Sequence, residues 1–295
     1  MGAVGKIEVT YFNDPACPFG YSISPALAVL RWRYGAQLDW RLVTIGLAES
    51  AERYVKRGYT PVRAVHGAMQ FRERYGMPFA LAPRSRVLGT ARACRAIVAT
   101  RLLDPARELD VLRALQFGWF TTTLLLDEDQ DIATVLGGVP GLDAEAIVGT
   151  LDDPRVIAAY EADKLETRRA EGSPTHFQGK ARQTDGPVRY SAPSLIFRAA
   201  DGRELEAGGF QTLEAYDVLI ANLDPTLERG APPADPLPAL ELAAGGLVTQ
   251  EVAAILAQGN NPPDRDGAER ALVELLAAGS VRRTPLGDDA LWQAL

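Results

Sequence analysis

Cysteine and histidine are scarce in this 295-residue chain, with two of each. Two cysteines exclude a disulfide-built scaffold, and His66 and His176 are too few for most histidine-based metal centres. No metal site is expected. Long apolar runs are also missing. Nothing approaches the roughly 18 consecutive apolar residues of a membrane-crossing helix. Residues 1–6 show no basic segment leading into an apolar one, so no secretory signal is expected. Lys6 stands where a myristoylation signal wants Ser or Thr. These absences lead to the expectation of a cytoplasmic chain with no membrane partner. No internal repeat or low-complexity tract occurs.

Positive charge is in deficit overall, with 31 Lys and Arg against 38 Asp and Glu, a net of −7. Nucleic acid is therefore not an expected partner. The charge is unevenly distributed. Residues 49–101 carry 11 basic and 3 acidic side chains, whereas residues 102–171 carry 6 and 15. The first of these stretches is where an anionic partner is electrostatically favoured. A hydrophobic fraction of 47% and a charged fraction of 23% fit an ordinary globular protein and exclude a disordered chain or a rod.

Lys6–Asn13 (KIEVTYFN) reads as a strand. Apolar residues at helical spacing follow in Ile23, Ala26, Leu27 and Leu30, then Gly35 and a second strand at Leu38–Leu42. A β-α-β start favours a parallel pair with a crossover helix. From about Glu52 to Ala170 the pattern is helical, punctuated into four or five helices. Thr175–Tyr190 is polar and irregular. Ser194–Arg198 and Arg203–Glu206 read as a hairpin around Asp201-Gly202, followed by a helix over Leu213–Leu223. Ala231–Pro238 is a proline-rich linker. Beyond it, Leu240–Leu256 and Asp266–Ala278 read as helices, and Val281–Thr284 and Ala290–Gln293 as short strands.

The element that carries chemistry is Cys17-Pro18-Phe19-Gly20, between the first strand and its helix. A thiolate, not a thiol, is the nucleophile. Free N–H groups at a helix start favour the anion, and Pro18 suits the first helical turn because its missing N–H has no partner there anyway. Position alone predicts a lowered pKa for Cys17. The other reading of the same position is a buried structural cysteine.

The succession of KIEVTYFNDPACPFG, a long helical insertion, Ala192-Pro193-Ser194 and a DG hairpin resembles the DsbA-like thioredoxin-fold family. That group includes DsbA oxidoreductases, FrnE-type relatives and 2-hydroxychromene-2-carboxylate isomerases, with kappa-class glutathione transferases as kin. The resemblance covers about Lys6 to Leu223. It implies an α/β thioredoxin-like domain over residues 1–230 with its helical insertion at about 52–170. It also implies a nucleophilic role for Cys17, flanked by Pro18, and a cis proline facing it at Pro193, with Pro174 as the rival. Phe19, Gly20 and Ala192 then border the substrate.

Gly20 replaces the family's second motif cysteine, so this motif cannot close an intramolecular disulfide. Three functions follow. One is single-thiol exchange with a small thiol or a protein disulfide. Another is glutathione-dependent isomerase or transferase chemistry. The third is a redox-inactive interaction module on the old cleft. No bound cofactor is implied; glutathione or another small thiol is the expected co-substrate. Cys94, among small helical residues, reads as a buried structural thiol. His176 is a candidate base near the site and otherwise a structural histidine. Arg84 and Arg86, with Arg92 and Arg95, are candidates to hold an anionic ligand such as glutathione. They also read as a solvated face paired with the acidic segment. Residues 239–295 resemble a winged helix, but the net charge of −5 over residues 231–295 argues for a docking or dimerisation module, and a homodimer is an open expectation.

Overall fold

The computed structural model describes residues 6–183, 186–259 and 261–295. Residues 1–5, read above for targeting signals, and Thr184 and Asp185 of the polar stretch lie outside the described residues.

Strand β1 (Ile7–Asn13) enters helices α1 (Pro18–Ser22) and α2 (Ser24–Tyr34), and β2 (Leu38–Thr44) follows. Gly35, at φ 50°, ends α2 in backbone that favours glycine. The helices serve as the crossover that a parallel pair requires, and β1 pairs with β2 in parallel, Ile7 opposite Leu38. The insertion runs through α3 (Glu52–Lys56), α4 (Pro61–Tyr75), α5 (Ala91–Leu103), α6 (Glu108–Thr121), α7 (Asp129–Leu136), α8 (Ala144–Gly149) and α9 (Pro154–Thr167). After α10 (Pro174–Phe177) come β3 (Ser194–Arg198), β4 (Glu204–Ala207) and α11 (Leu213–Leu223). The sheet order is β2-β1-β3-β4, with β3 antiparallel to both neighbours.

The insertion holds more helices than the four or five expected. Thr60, Asp143 and Asp153 each cap a new helix start, two of them followed at once by proline, so the chain restarts where periodicity alone reads through. Gly76, in left-handed conformation, ends α4, and residues 77–90 form no helix. The main core lies between the sheet and helices α2, α5, α6, α9 and α11, with Val9, Leu30, Ile97, Val98, Leu195 and Phe197 buried. Buried Asp163 on α9 ties the insertion to β2. It accepts from the Thr44 N–H (2.8 Å) and hydroxyl (2.9 Å) and pairs with Arg101 (2.8 Å).

The C-terminal elements are α12 (Leu237–Leu242), β5 (Leu247–Val248), α13 (Thr249–Leu256), α14 (Arg265–Ala277), β6 (Val281–Leu286) and β7 (Asp289–Ala294), with sheet order β5-β7-β6. The helix expected over Leu240–Leu256 is therefore two helices. Gly246, at φ 80°, turns the chain between them, and a short strand intervenes. This segment packs on the body. Ala28 and Val29 of α2 share a core with Leu240, Val252, Ala253 and Trp292. Tyr21, Met77 and Phe79 share another with Val248.

Across that interface runs a buried ion pair. Arg113 on α6 meets Glu251 on α13 at 2.6 Å, and the Glu251 side chain is fully buried. Glu251 also accepts from the Ser24 hydroxyl and from the Val248 N–H (2.9 Å). Arg113 donates to the Gly246 carbonyl at 3.0 Å. Further out, Asp288 accepts from the Phe79 N–H at 2.9 Å and pairs with Arg72 at 3.1 Å.

Candidate functional site

The central strand delivers Asn13 and Asp14 to its C-terminal end, and the chain turns there into Cys17. The Asp14 carboxylate shapes this turn. It accepts from the Ala16 N–H at 2.9 Å and the Leu47 N–H at 2.8 Å, and from Cys94 Sγ at 3.5 Å. Burial pushes its pKa up. Asp14 thus fixes the turn into Cys17, and Cys94 is a fully buried thiol beneath it. Both cysteines are free.

Cys17 is the N-cap of α1, in extended backbone. Its sulfur accepts from the Gly20 N–H at 3.4 Å and donates to the Ala192 carbonyl at 3.2 Å. The Ala192–Pro193 peptide bond is cis, and no other described peptide bond is. Pro193, not Pro174, therefore holds the cis linkage, and its preceding carbonyl faces the Cys17 sulfur.

The expectation of a lowered pKa at Cys17 is overturned. Only 5% of the residue is exposed, and burial pushes its thiol up to about 12. The Gly20 and Phe19 N–H groups and the charge of Arg189 pull the other way; the Asp14 charge adds to the rise. Loss of hydration wins because α1 has five residues and few free amides, one of them removed by Pro18. A sulfur that donates to a carbonyl is a protonated one.

Gly20 bears the departure from the family motif. A β-carbon there would land on the amide oxygen of Asn13, well inside contact distance. The Asn13 carboxamide occupies the volume a second cysteine would need. Its Nδ2 donates to the Gly20 carbonyl at 3.3 Å and to the Tyr11 hydroxyl, while Oδ1 is buried with no partner. Gly20→Ala should lower stability by roughly 1–3 kcal/mol through overpacking. Adding Asn13→Gly should recover part of that loss. Urea melts of the two variants check this; a neutral Gly20→Ala would show that Asn13 moves aside freely.

Phe19 is 43% exposed and sets its ring against Phe71 at 4.8 Å and Phe210 at 6.1 Å. Tyr75 completes the group, 4.9 Å from Phe210. The other sequence candidates are engaged elsewhere. Arg84 donates to the carbonyls of Leu124 (2.8 Å) and Thr122 (3.1 Å) and to that of Trp119. Arg86 pairs with Asp127 (2.6 Å) and with Glu128. Arg92 and Arg95 meet Asp152. The ligand-holding reading of Arg84 and Arg86 is thus corrected: the acidic stretch after Leu102 and nearby backbone take up these guanidinium groups. His176 Nδ1 accepts from the Gly172 N–H at 3.0 Å, a local structural bond, and no described contact joins it to Cys17. His66 is exposed on α4. Arg189 was missed by the sequence reading. It is 7% exposed and electrostatically coupled to both Asp14 and Cys17; its place just ahead of Ser191-Ala192-Pro193 was the available signal.

A strand-helix-strand start, a β-hairpin returning beside it, and a cysteine at a helix start facing a cis proline define a thioredoxin-like fold. The chain matches the model of the DSBA-like thioredoxin domain over residues 8–191 and belongs to that family. Among solved structures it is similar to a candidate protein disulfide isomerase from Nitrosomonas europaea, at 16% identity and TM-score 0.55, covering 74% of this chain and 97% of that one. It is also similar to the cytosolic disulfide reductase DsbM from Pseudomonas aeruginosa, at 20% identity and TM-score 0.51, covering 75% and 98%. A third is a probable DsbA oxidoreductase from Streptomyces coelicolor, at 17% identity and TM-score 0.51, covering 75% and 91%. No curated protein matches. No described helix is long and apolar enough to cross a membrane.

Proposed function

We propose that this DsbA-like chain binds a partner on its thioredoxin cleft without dithiol exchange. The observation that carries this reading is the Asn13 carboxamide filling the second-thiol position beside Gly20. Two further features support it: the protonated, inward-bonded Cys17 sulfur, and the apolar surface of Phe19, backed by Phe71, Tyr75 and Phe210. That surface suits an apolar side chain presented by a protein partner. Two free thiols favour a reducing, cytoplasmic setting.

A second reading is single-thiol exchange with a small thiol such as glutathione. The sulfur's position against the carbonyl before cis Pro193 favours it. It requires a movement that uncovers Cys17. The glutathione-dependent isomerase reading loses the support that Arg84 and Arg86 were expected to give.

The elements of residues 237–295 follow a winged-helix-like order, and we read them as a docking module. Two of their four arginines have local polar partners: Arg265 pairs with Glu269 and Asp289, and Arg282 bonds Gln293.

The test is reduction of insulin by dithiothreitol at neutral pH. The native chain and Gly20→Cys should both stay at the uncatalysed rate. Gly20→Cys with Asn13→Ala, which frees the volume, should accelerate the reaction at least tenfold. Catalysis by the native chain would overturn the binding reading.

A further inference from the structure

Between the body and the C-terminal elements lies a cleft of about 1160 Å³, walled by α2, α6, α12 and the face of the β5-β7-β6 sheet. No residue of the cysteine motif lines it, and the reading above does not use it. Its volume exceeds the usual span of small-molecule sites, about 300–1,000 Å³. Much of its wall is apolar, including Trp32, Leu109, Phe117, Leu242 and Ile255.

The charged groups in this wall are out of balance. Arg31, Arg107, Arg113 and Arg282 face it, against Asp110 and Glu251. The surplus is positive in a chain whose net charge is −7. Three of the arginines have partners. Arg113 is paired with Glu251, Arg107 bonds Asp110 and the Pro140 carbonyl, and Arg282 bonds Gln293. Arg31 differs. Its guanidinium lies over the Trp40 ring at 5.2 Å, and among the described residues it makes no hydrogen bond or ion pair. Guanidinium groups carry five donors in a planar fork and are ordinarily bonded when partly buried.

A second observation lies beside it. A small cavity of about 20 Å³ shares Arg31, Leu109 and Arg113 with the large cleft and reaches Tyr11, Gly20 and Gln116. That is room for roughly one small polar group. Gln116 is buried, and its Nε2 donor has no partner. Gln116 Nε2, a buried donor with no partner, and the half-buried, unpaired guanidinium of Arg31 thus line one polar recess at the edge of an apolar cleft. Buried donors left unbonded carry a penalty that an anionic acceptor removes.

We propose that this cleft binds an amphipathic carboxylic acid, its apolar body between α6 and the C-terminal elements and its carboxylate held by Arg31. A carboxylate matches the planar fork of a guanidinium, and a single negative charge balances the unpaired arginine. Arg31 is also held below its usual arginine range by burial and by the neighbouring Arg113, which an incoming anion relieves.

The experiment is isothermal titration of the full chain with dodecanoate and with dodecanol, both below their aggregation limits. Saturable binding of dodecanoate is expected, at least tenfold tighter than that of dodecanol. Arg31→Met should bring the two affinities together while leaving dodecanol unchanged. Ala114→Trp, which fills the cleft wall, should weaken both. Equal affinities for acid and alcohol in the native chain, or no saturable binding of the acid, overturn the proposal. That comparison stands on the native chain even if Arg31→Met does not fold. Failure here leaves the cleft reading around Cys17 untouched, because the two sites share no assay.

Discussion

At pH 8, Cys17 should react with iodoacetamide on the order of 10³-fold more slowly than a free cysteine. Thiolate concentration sets the rate. A free thiol with a pKa near 8.5 is partly ionised at pH 8, whereas a thiol held at about 12 is almost wholly protonated. The rate should rise with pH toward a midpoint near about 12 and show no plateau between 7 and 10. Peptide mass spectrometry counts Cys94 separately. That thiol is fully buried, and its pKa also lies far above the ordinary value. The physical basis is a contest between two effects at one atom. Helix-start amides stabilise the anion, but α1 supplies only the Gly20 N–H, at 3.4 Å, and a weaker contribution from the Phe19 N–H. Burial removes the whole hydration shell of a charged sulfur and is the larger effect. A midpoint at or below 8.5 would sink the binding reading and restore single-thiol exchange.

Glu251→Ala should destabilise the chain by about 3–5 kcal/mol, because it leaves the Arg113 charge at the interface without its partner. The same change strips the Ser24 hydroxyl and the Val248 N–H of their acceptor. The double replacement Arg113→Met with Glu251→Leu should regain most of the loss, since a buried pair and a well-packed apolar pair differ little. Urea unfolding measures both. Limited proteolysis at the linker near Ala231 should report undocking in the single variant.

A pH dependence follows from the same pair. Arg113 and the hydrogen bonds to Ser24 and Val248 outweigh burial and hold the Glu251 carboxyl below its usual value. A carboxyl depressed in the folded state contributes stability above its unfolded pKa and loses it as pH falls through the folded one. Docking should therefore persist through neutral and mildly acidic pH and fail only below the usual carboxylate range. Undocking near pH 6 would show that another group governs the interface.

Much of this was legible in the sequence. The strand before Cys17, the hairpin around Asp201-Gly202 and the helix over Leu213–Leu223 follow from periodicity and turn residues, which are local properties. The family resemblance implied a cis linkage at Ala192-Pro193, and the strand and turn that follow it at once favoured it over Pro174. Gly20 in place of cysteine was visible by inspection, and it already excluded an intramolecular disulfide in this motif. Local punctuation was less legible inside the insertion, where capped restarts hide beneath continuous helical periodicity.

The tertiary structure decided the rest, because it concerns groups that meet across long stretches of chain. Whether Cys17 is an anion depends on what covers it, including Ala192, 175 positions away. Whether Arg84 and Arg86 are free for a ligand depends on where residues 118–128 fold back. The fit of Asn13 against Gly20, and of Glu251 against Arg113, is likewise a matter of packing. Sequence lists which charges and hydrogen-bonding groups exist; burial sets how strongly each one acts, and burial is a property of the assembled chain.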